Sequence, residues 1–257
     1  MLDYASFPEQ RQLLLRERLH KEGKLICSHL ANEIGVSEHT IRRDIAELAR
    51  QGLCKKVYGG AIEVSPAQGS FSSRSSNIEQ EKRSIANKAV TLIDEHTTIF
   101  LDSGTTNLAI AQQLPRDLNV TLVTNSLPIA YEAMSMTHAE VIVIGGKLHK
   151  TIAGMVDTSA SSEVANFYFD MCFLGVCAFN LQQGITSFNY DDAQFKRILI
   201  KQSGQLIAPV TAEKYATIAK YKVVEPEGIS DVIISESMLS TEQRAELGQS
   251  DISLHLV

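Results

Sequence analysis

Two kinds of chemistry are written into this chain of 257 residues by residue type and spacing. The first is anion capture. Asp102-Ser103-Gly104-Thr105-Thr106 closes an apolar run that begins at Thr98 and leads into a helical segment. Gly104 lets a ligand approach the main chain. The amides and hydroxyls of Thr105 and Thr106, at a helix start, make an anion pocket. Thr124-Asn125-Ser126 and Gly145-Gly146-Lys147 close two further apolar runs in the same way. In an open parallel sheet, ligands bind beyond the C-terminal strand ends, so these three loops converge if their strands are neighbours. One such loop is weak evidence; three together favour a phosphate-like ligand.

The second is groove reading, in SEHTIRRDIAELARQGL, Ser37 to Leu53. The Ser37 hydroxyl suits a helix N-cap, and Glu38 lies at the positive end of the helix dipole. Ile41, Ile45 and Leu48 form one apolar stripe. His39, Thr40, Arg42 and Arg43 occupy the early turns, and Thr40, Arg42 and Arg43 point away from that stripe. Gly52 suits a C-cap. A helix with a polar, basic start and an apolar back is what a major-groove reader needs. Taken alone, the same pattern describes any surface amphipathic helix, so its neighbours decide.

Other chemistries find little support. The seven histidines show no HxxxH or HExxH spacing, and the four cysteines form no CxxC pair. Neither a metal site nor another cofactor is expected. Cys27, Cys54, Cys172 and Cys177 read as buried thiols. Ser103 lacks the Gly-x-Ser-x-Gly setting of a nucleophile. His149, after the Gly-Gly loop, reads as a bystander.

Helix, short helix, tight turn, basic helix is the order of elements around the reading segment. Pro8–Glu22 is the first helix, stopped by Gly23. Ser28 caps a second, with Leu30, Ala31 and Ile34 on one face, and Gly35–Val36 turns into the third. Two strand-like runs about Gly59-Gly60 then predict a hairpin, a wing from which Lys55, Lys56 and Tyr58 reach phosphates. Residues 65–79 have a Ser-rich linker composition. Beyond them a helix from Glu81 to Ile93 is followed by alternating strands and helices. Continuous apolar strands of this kind predict an α/β domain on a mainly parallel sheet, covered on both faces. The boundaries are 1–64 for the winged helix-turn-helix, 65–79 for the linker and 80–257 for the α/β domain.

The net charge of −6 is unevenly spread. Residues 1–65 carry 10 Lys and Arg against 9 Asp and Glu, and the remainder 14 against 21. Contact with nucleic acid must therefore come from a local basic patch. No run approaches the roughly 20 apolar residues of a membrane span. Asp3, Glu9 and Arg11 break up the start of the chain where a signal peptide would be apolar. A cytoplasmic protein with no membrane partner is expected.

SEHTIRRDIAELARQGL followed by VYGGAI closely resembles the DeoR family of bacterial transcription regulators over residues 1–62. LDSGTT, VTNS, IGGKL, FLGVCAFNLQQGITSFN and AEKY resemble the sensor domain of the same family over residues 76–257. The resemblance implies a sensor fold similar to ribose-5-phosphate isomerase, glucosamine-6-phosphate isomerase and coenzyme A transferases. It implies a repressor of sugar-metabolism genes that binds double-stranded operator DNA as a homodimer or homotetramer, modulated by a phosphorylated sugar. By it, Asp102, Gly104, Thr105, Thr106, Asn125, Ser126, Gly145 and Gly146 line the effector pocket. Lys214 supplies a positive charge there; on spacing alone it is an exposed lysine beside Glu213.

The chain departs from the family pattern twice. Thr211 stands in the stretch where an Asp is common, and Gly175-Val176-Cys177-Ala178 replaces a Gly-Ala-Asp-Gly-like run. Both changes make for a less polar pocket. Two alternatives stay open. An aldose–ketose isomerase needs a positioned carboxylate base, and none remains between Gly175 and Phe179; Asp170, Asp191 and Asp192 are elsewhere. A DNA-binding adaptor whose sensor domain holds no ligand is the other.

Overall fold

The computed structural model describes residues 7–22, 24–50, 54–63, 71, 74, 79–236, 239, 241–248, 250 and 252–257. The chain divides into two units, residues 1–65 and 66–257. Gly23, Gly52 and most of the stretch expected as a linker lie outside the described residues, as does the Lys55 side chain.

In the first unit, helix α1 (Pro8–Glu22) precedes a short strand, β1 (Lys24–Ile26). Helices α2 (Cys27–Ile34) and α3 (Glu38–Arg50) follow, then strands β2 (Cys54–Val57) and β3 (Gly60–Glu63). Leu15 and Leu19 of α1, Leu30 and Ala31 of α2, and Ile41, Ile45 and Leu48 of α3 make a common core. The α2–α3 turn is made at Gly35, whose φ of 77° is cheap without a Cβ. The Gly35 and Val36 amides both donate to the Ala31 carbonyl, closing the end of α2.

Sequence and structure differ locally. Ser28 does not cap α2, which begins one residue earlier, after Ile26, with no side-chain cap. The reason is β1: Ile26 ends a strand, and the Cys27 amide is taken by the Gly59 carbonyl at 2.9 Å. The hairpin turns at Tyr58-Gly59 rather than at the two glycines, since Val57 pairs with Gly60. Gly60 instead lets β1 come close: a Cβ there would stand 1.8 Å from the Leu25 carbonyl oxygen.

The second unit is built on a seven-stranded sheet of order β15-β14-β12-β9-β4-β5-β6. Its strands are β4 (Thr98–Leu101), β5 (Thr121–Thr124), β6 (Glu140–Val143), β9 (Phe169–Phe173), β12 (Ser203–Val210), β14 (Asp231–Ile234) and β15 (Ser253–Leu256). Every neighbouring pair is parallel, so the sheet is wholly parallel. Both faces are covered. One packs Ile85, Ile110, Ile129 and Phe173; the other packs Phe100, Phe169, Phe195 and Ile234.

Helix α4 (Glu79–Val90) precedes β4, and helices α5 (Thr105–Gln113), α6 (Leu127–Ala133), α7 (Thr158–Val164), α8 (Tyr190–Lys201) and α9 (Thr241–Gly248) lie in the connections between these strands. A two-stranded ribbon, β7 (Leu148–His149) with β8 (Gly154–Met155), leaves the sheet after β6. A three-stranded antiparallel sheet of β10 (Ala178–Asn180), β11 (Gly184–Ser187) and β13 (Tyr221–Val224) completes the unit. Among the described residues, no helix is long and apolar enough to cross a membrane.

Candidate functional site

The first unit presents a polar surface on one side of α3. The Ser37 hydroxyl accepts the Thr40 amide at 3.1 Å, the N-cap bond expected of it. Ile41, Ile45 and Leu48 are buried, whereas His39, Arg42 and Arg43 are exposed. Arg42 pairs with Glu38 at 2.8 Å, with both side chains in solvent. Such an exposed pair is worth about 0–1 kcal/mol, so it does not tie the guanidinium down. Arg42, Lys56, Val57 and Tyr58 line one groove between α3 and the hairpin, and Tyr58 is fully exposed at the turn.

Behind this surface lies a buried ion pair that the sequence does not announce. Arg11 of α1 donates from Nε to Asp44 of α3 at 2.5 Å and from Nη2 at 3.3 Å. The two side chains are only 3% and 2% exposed. The partners stand 33 residues apart, so no helical spacing links them.

In the second unit a cavity of about 240 Å³ opens beyond the C-terminal ends of β4, β9 and β12. Its floor is main chain. Gly104 precedes α5, and Gly175 crosses over the loop after β4. A Cβ at Gly175 would stand 2.3 Å from the Ser103 carbonyl oxygen. The amides of Thr105, Thr106 and Asn107 are in the first turn of α5, where no intrahelical acceptor exists. Leu108 is the first to bond back, to the Gly104 carbonyl at 2.9 Å.

Basic groups dominate the walls. Arg74, Lys196, Lys214 and Lys220 line the cavity against one acidic residue, Asp192. Lys196, Asp192 and Asp102 form a buried cluster. The Lys196 ammonium lies 2.5 Å from Asp192 and 3.4 Å from Asp102. Burial works against its charge, but the two carboxylates outweigh that and hold its proton above the ordinary lysine range. Asp102 also accepts the Gly175 and Ser103 amides, each at 2.8 Å. Asp192 also accepts the Ser187 hydroxyl at 2.6 Å.

Lys214 is different. It is 4% exposed, and its ammonium makes no ion pair or hydrogen bond among the described residues. Burial pushes its pKa down to about 8. Among the described residues, three more polar atoms on the cavity are buried with no hydrogen-bond partner: Thr106 Oγ1, Asn107 Oδ1 and His149 Nδ1. Unpaired polar atoms in a site of this kind each cost about 1–3 kcal/mol, a debt that a polar ligand can cancel. Burial raises the Cys177 thiol, so it stands on the wall as a neutral group rather than a nucleophile.

The residues expected at the strand ends divide. Gly104, Thr106 and Lys214 line the cavity. Asp102 lies fully buried beneath it, turned on Lys196. Thr105 faces a separate groove with Lys82 and Leu108 instead. Asn125 is a brace: it accepts the Ser103 amide at 2.9 Å and donates to the Met155 carbonyl at 3.1 Å. Ser126 turns to Thr124 and Ala153. The Gly145 amide goes to Glu163, and Gly146 packs against Asp157. Asn125, Ser126, Gly145 and Gly146 are thus outside the lining.

Arg74, Asn107, Asn189, Lys196 and Lys220 are among the lining residues that the sequence does not single out. For Lys196 a signal existed. Asp192, Ala193, Lys196 and Leu199 share one face of α8, so a charged pair sits in an apolar stripe. His149, read as a bystander, is on the wall, 3.3 Å from the Asn189 side chain.

Residues 77–236 match the family model of the DeoR C-terminal sensor domain, and residues 11–67 that of the DeoR-like helix-turn-helix domain. The chain is 30% identical to an HTH-type transcriptional regulator of Haemophilus influenzae, over all of both chains. It is 30% identical to the glycerol-3-phosphate regulon repressor of Escherichia coli, over 80% of this chain and 82% of that one. Against the HTH-type transcriptional regulator GolR of Listeria innocua it is 29% identical, over 91% and 92%. Ribose 5-phosphate isomerase A of Methanocaldococcus jannaschii is a distant structural neighbour, with a TM-score of 0.40 and 16% identity over 53% of this chain and 54% of that one. The sensor-domain match alone spans more than half of the sequence, and the chain belongs to the DeoR family of DNA-binding transcription regulators.

Proposed function

We propose that this regulator is a cytoplasmic homo-oligomeric repressor of sugar-related genes whose hold on operator DNA is set by a phosphorylated sugar. In this reading Ser37, His39, Thr40, Arg42 and Arg43 approach base edges, and Lys55, Lys56 and Tyr58 of the wing hold backbone phosphates. A dimer or tetramer supplies two readers for paired half-sites.

The observation that carries the effector reading is a set of polar groups on one cavity: the buried Lys214 ammonium, together with Thr106 Oγ1 and Asn107 Oδ1, which have no hydrogen-bond partner among the described residues. A phosphate at the first amides of α5 meets Lys214 and the Thr106 hydroxyl. Sugar hydroxyls can then donate to Asn107 and bond His149 and Asn189. Phosphate is the better fit than a bare carboxylate, because one end of the cavity offers several donors at once.

The same geometry argues against isomerase chemistry. A proton-shuttling base must be free. Asp192, the acidic residue on the lining, is bonded to Lys196 and Ser187. The departures at Thr211 and Cys177 do not empty the site of polarity, which disfavours the silent adaptor.

The test is a gel shift on the DNA upstream of the regulated genes, titrated with a panel of sugar phosphates, beside thermal melts of the full chain. A ligand at 100 times its dissociation constant should stabilise the sensor unit by roughly 2.7 kcal/mol. Binding to DNA without sequence preference, and with no response to any compound, refutes the reading. Turnover of a pentose or hexose phosphate restores the enzyme.

A further inference from the structure

Arg74 stands nine residues past Ser65, where the first unit ends, and five before α4 begins. It is also part of the cavity wall, with Thr106 and Lys214. Its guanidinium donates from Nη2 to the Thr151 carbonyl at 3.1 Å. Thr151 is in the loop of the β7–β8 ribbon, whose His149 and Ile152 line the same cavity. The Arg74 carbonyl is held in turn by the Lys82 ammonium of α4.

The residue next to Lys82 extends this chain of contacts. Glu81 is largely buried, and its Oε1 accepts the Ala212 amide at 2.7 Å. Ala212 opens the short turn that carries Lys214. Adjacent residues of α4 therefore hold the two elements that bring Arg74 and Lys214 to the cavity. Electrostatics points the same way: Asp102 and Asp192 neutralise Lys196, which leaves Arg74, Lys214 and Lys220 as the cations that draw an anion to the wall. A planar guanidinium with paired donors matches an oxyanion better than an ammonium does.

We infer that Arg74 is an effector-binding residue, contributed by the stretch of chain that joins the DNA reader to the sensor, and that it sets both the affinity for the anion and the response of DNA binding. The inference rests on the effector reading of the cavity given above. An anion held by Arg74 fixes a point on the connecting stretch, which an anion held only by α5 and Lys214 does not. A ligand shifts a conformational balance only through contacts that differ between the two states, and in this inference the contact between Arg74 and the anion is the one that differs.

The experiment uses the full chain and four probes: glucose 6-phosphate, fructose 6-phosphate, glucosamine 6-phosphate and glycerol 3-phosphate. Affinities come from calorimetry. The response is the ratio of operator affinities without and with saturating probe. In Arg74→Gln, affinity for the tightest probe should fall about 10- to 100-fold, the loss of a charge-assisted hydrogen bond. The response should fall with it, and Arg74→Lys should recover part of both. If Arg74→Gln binds within twofold of the parent while Lys214→Gln loses the probe, Arg74 is refuted and the cavity reading stands. If the parent binds none of the four, both fall. Should Arg74→Gln not fold, Arg74→Lys decides: a loss of threefold or more supports the inference, and parent-like binding and response overturn it.

Discussion

Replacing Asp44 by alanine should uncouple the two halves of this regulator. Asp44 is buried on α3, on the side away from the reading face, with Arg11 as its partner at 2.5 Å. Its removal takes two charge-assisted hydrogen bonds from a buried guanidinium. Breaking a buried pair by removing one partner costs about 3–5 kcal/mol. Among the described residues, the core that must absorb this holds eleven buried apolar residues, six of them Leu or Ile from the three helices. A domain below about 70–80 residues rarely holds more than about 3–5 kcal/mol in reserve. The loss therefore matches the whole stability of the first unit. Calorimetry of the full chain should lose one transition and keep that of residues 66–257, whose core is separate. Operator binding should vanish in fluorescence anisotropy while sugar-phosphate binding survives. A double variant, Arg11→Met with Asp44→Leu, fills the same space with apolar groups and should recover at least half of the lost stability. An Asp44→Ala chain that melts within about 1 kcal/mol of the parent would show that solvent or another carbonyl compensates Arg11 and would refute the argument.

Three further outcomes are expected. Arg42→Ala should weaken specific operator binding by about 1–3 kcal/mol with an unchanged melting curve, since its ion pair with Glu38 is exposed; unaltered footprinting affinity counts against α3 as the reader. Anion affinity should be highest between about pH 6, where a phosphate monoester takes its second proton, and pH 8. Above about 8 it should decline as Lys214 loses its charge. Because the folded value lies below the ordinary 10.5, the unfolded chain binds more protons between the two, so the ligand-free sensor should gain stability as pH rises through that window. Lys214→Gln should flatten both trends in calorimetric titrations and melts. Gly60→Ala drives a methyl into the Leu25 carbonyl and should detach β1 from β3, at a cost of about 2 kcal/mol or more in the first transition; a shift below about 0.5 kcal/mol contradicts the packing described for that strand.

Local signals were strong enough to be read directly. The Ser37 cap and the Ile41, Ile45, Leu48 stripe specify α3 within a few turns of chain, and the continuous apolar strands specify the parallel sheet. The order of the strands, which makes β4 and β9 neighbours, is a long-range property and brings Gly175 over the loop after β4. That explains the mixed result at the strand ends. Polarity at a strand end marks either a ligand contact or an internal brace, and nothing in Asn125 or Ser126 distinguishes the two. Lys214 looked like a surface lysine because Glu213 adjoins it; burial comes from the turn held by Glu81, more than 130 residues away in sequence. The Arg11–Asp44 pair shares this character, since each partner is unremarkable until the fold joins them.

The crossing of Gly175 over Ser103 has an evolutionary consequence. A binding surface made of peptide groups offers substitution nothing to alter, and here even a methyl is excluded. On the effector reading proposed above, a change of sugar specificity falls on the replaceable rim, at places such as Cys177, His149 and Asn189. The anchoring of the charged end would then persist unchanged from one carbohydrate to another.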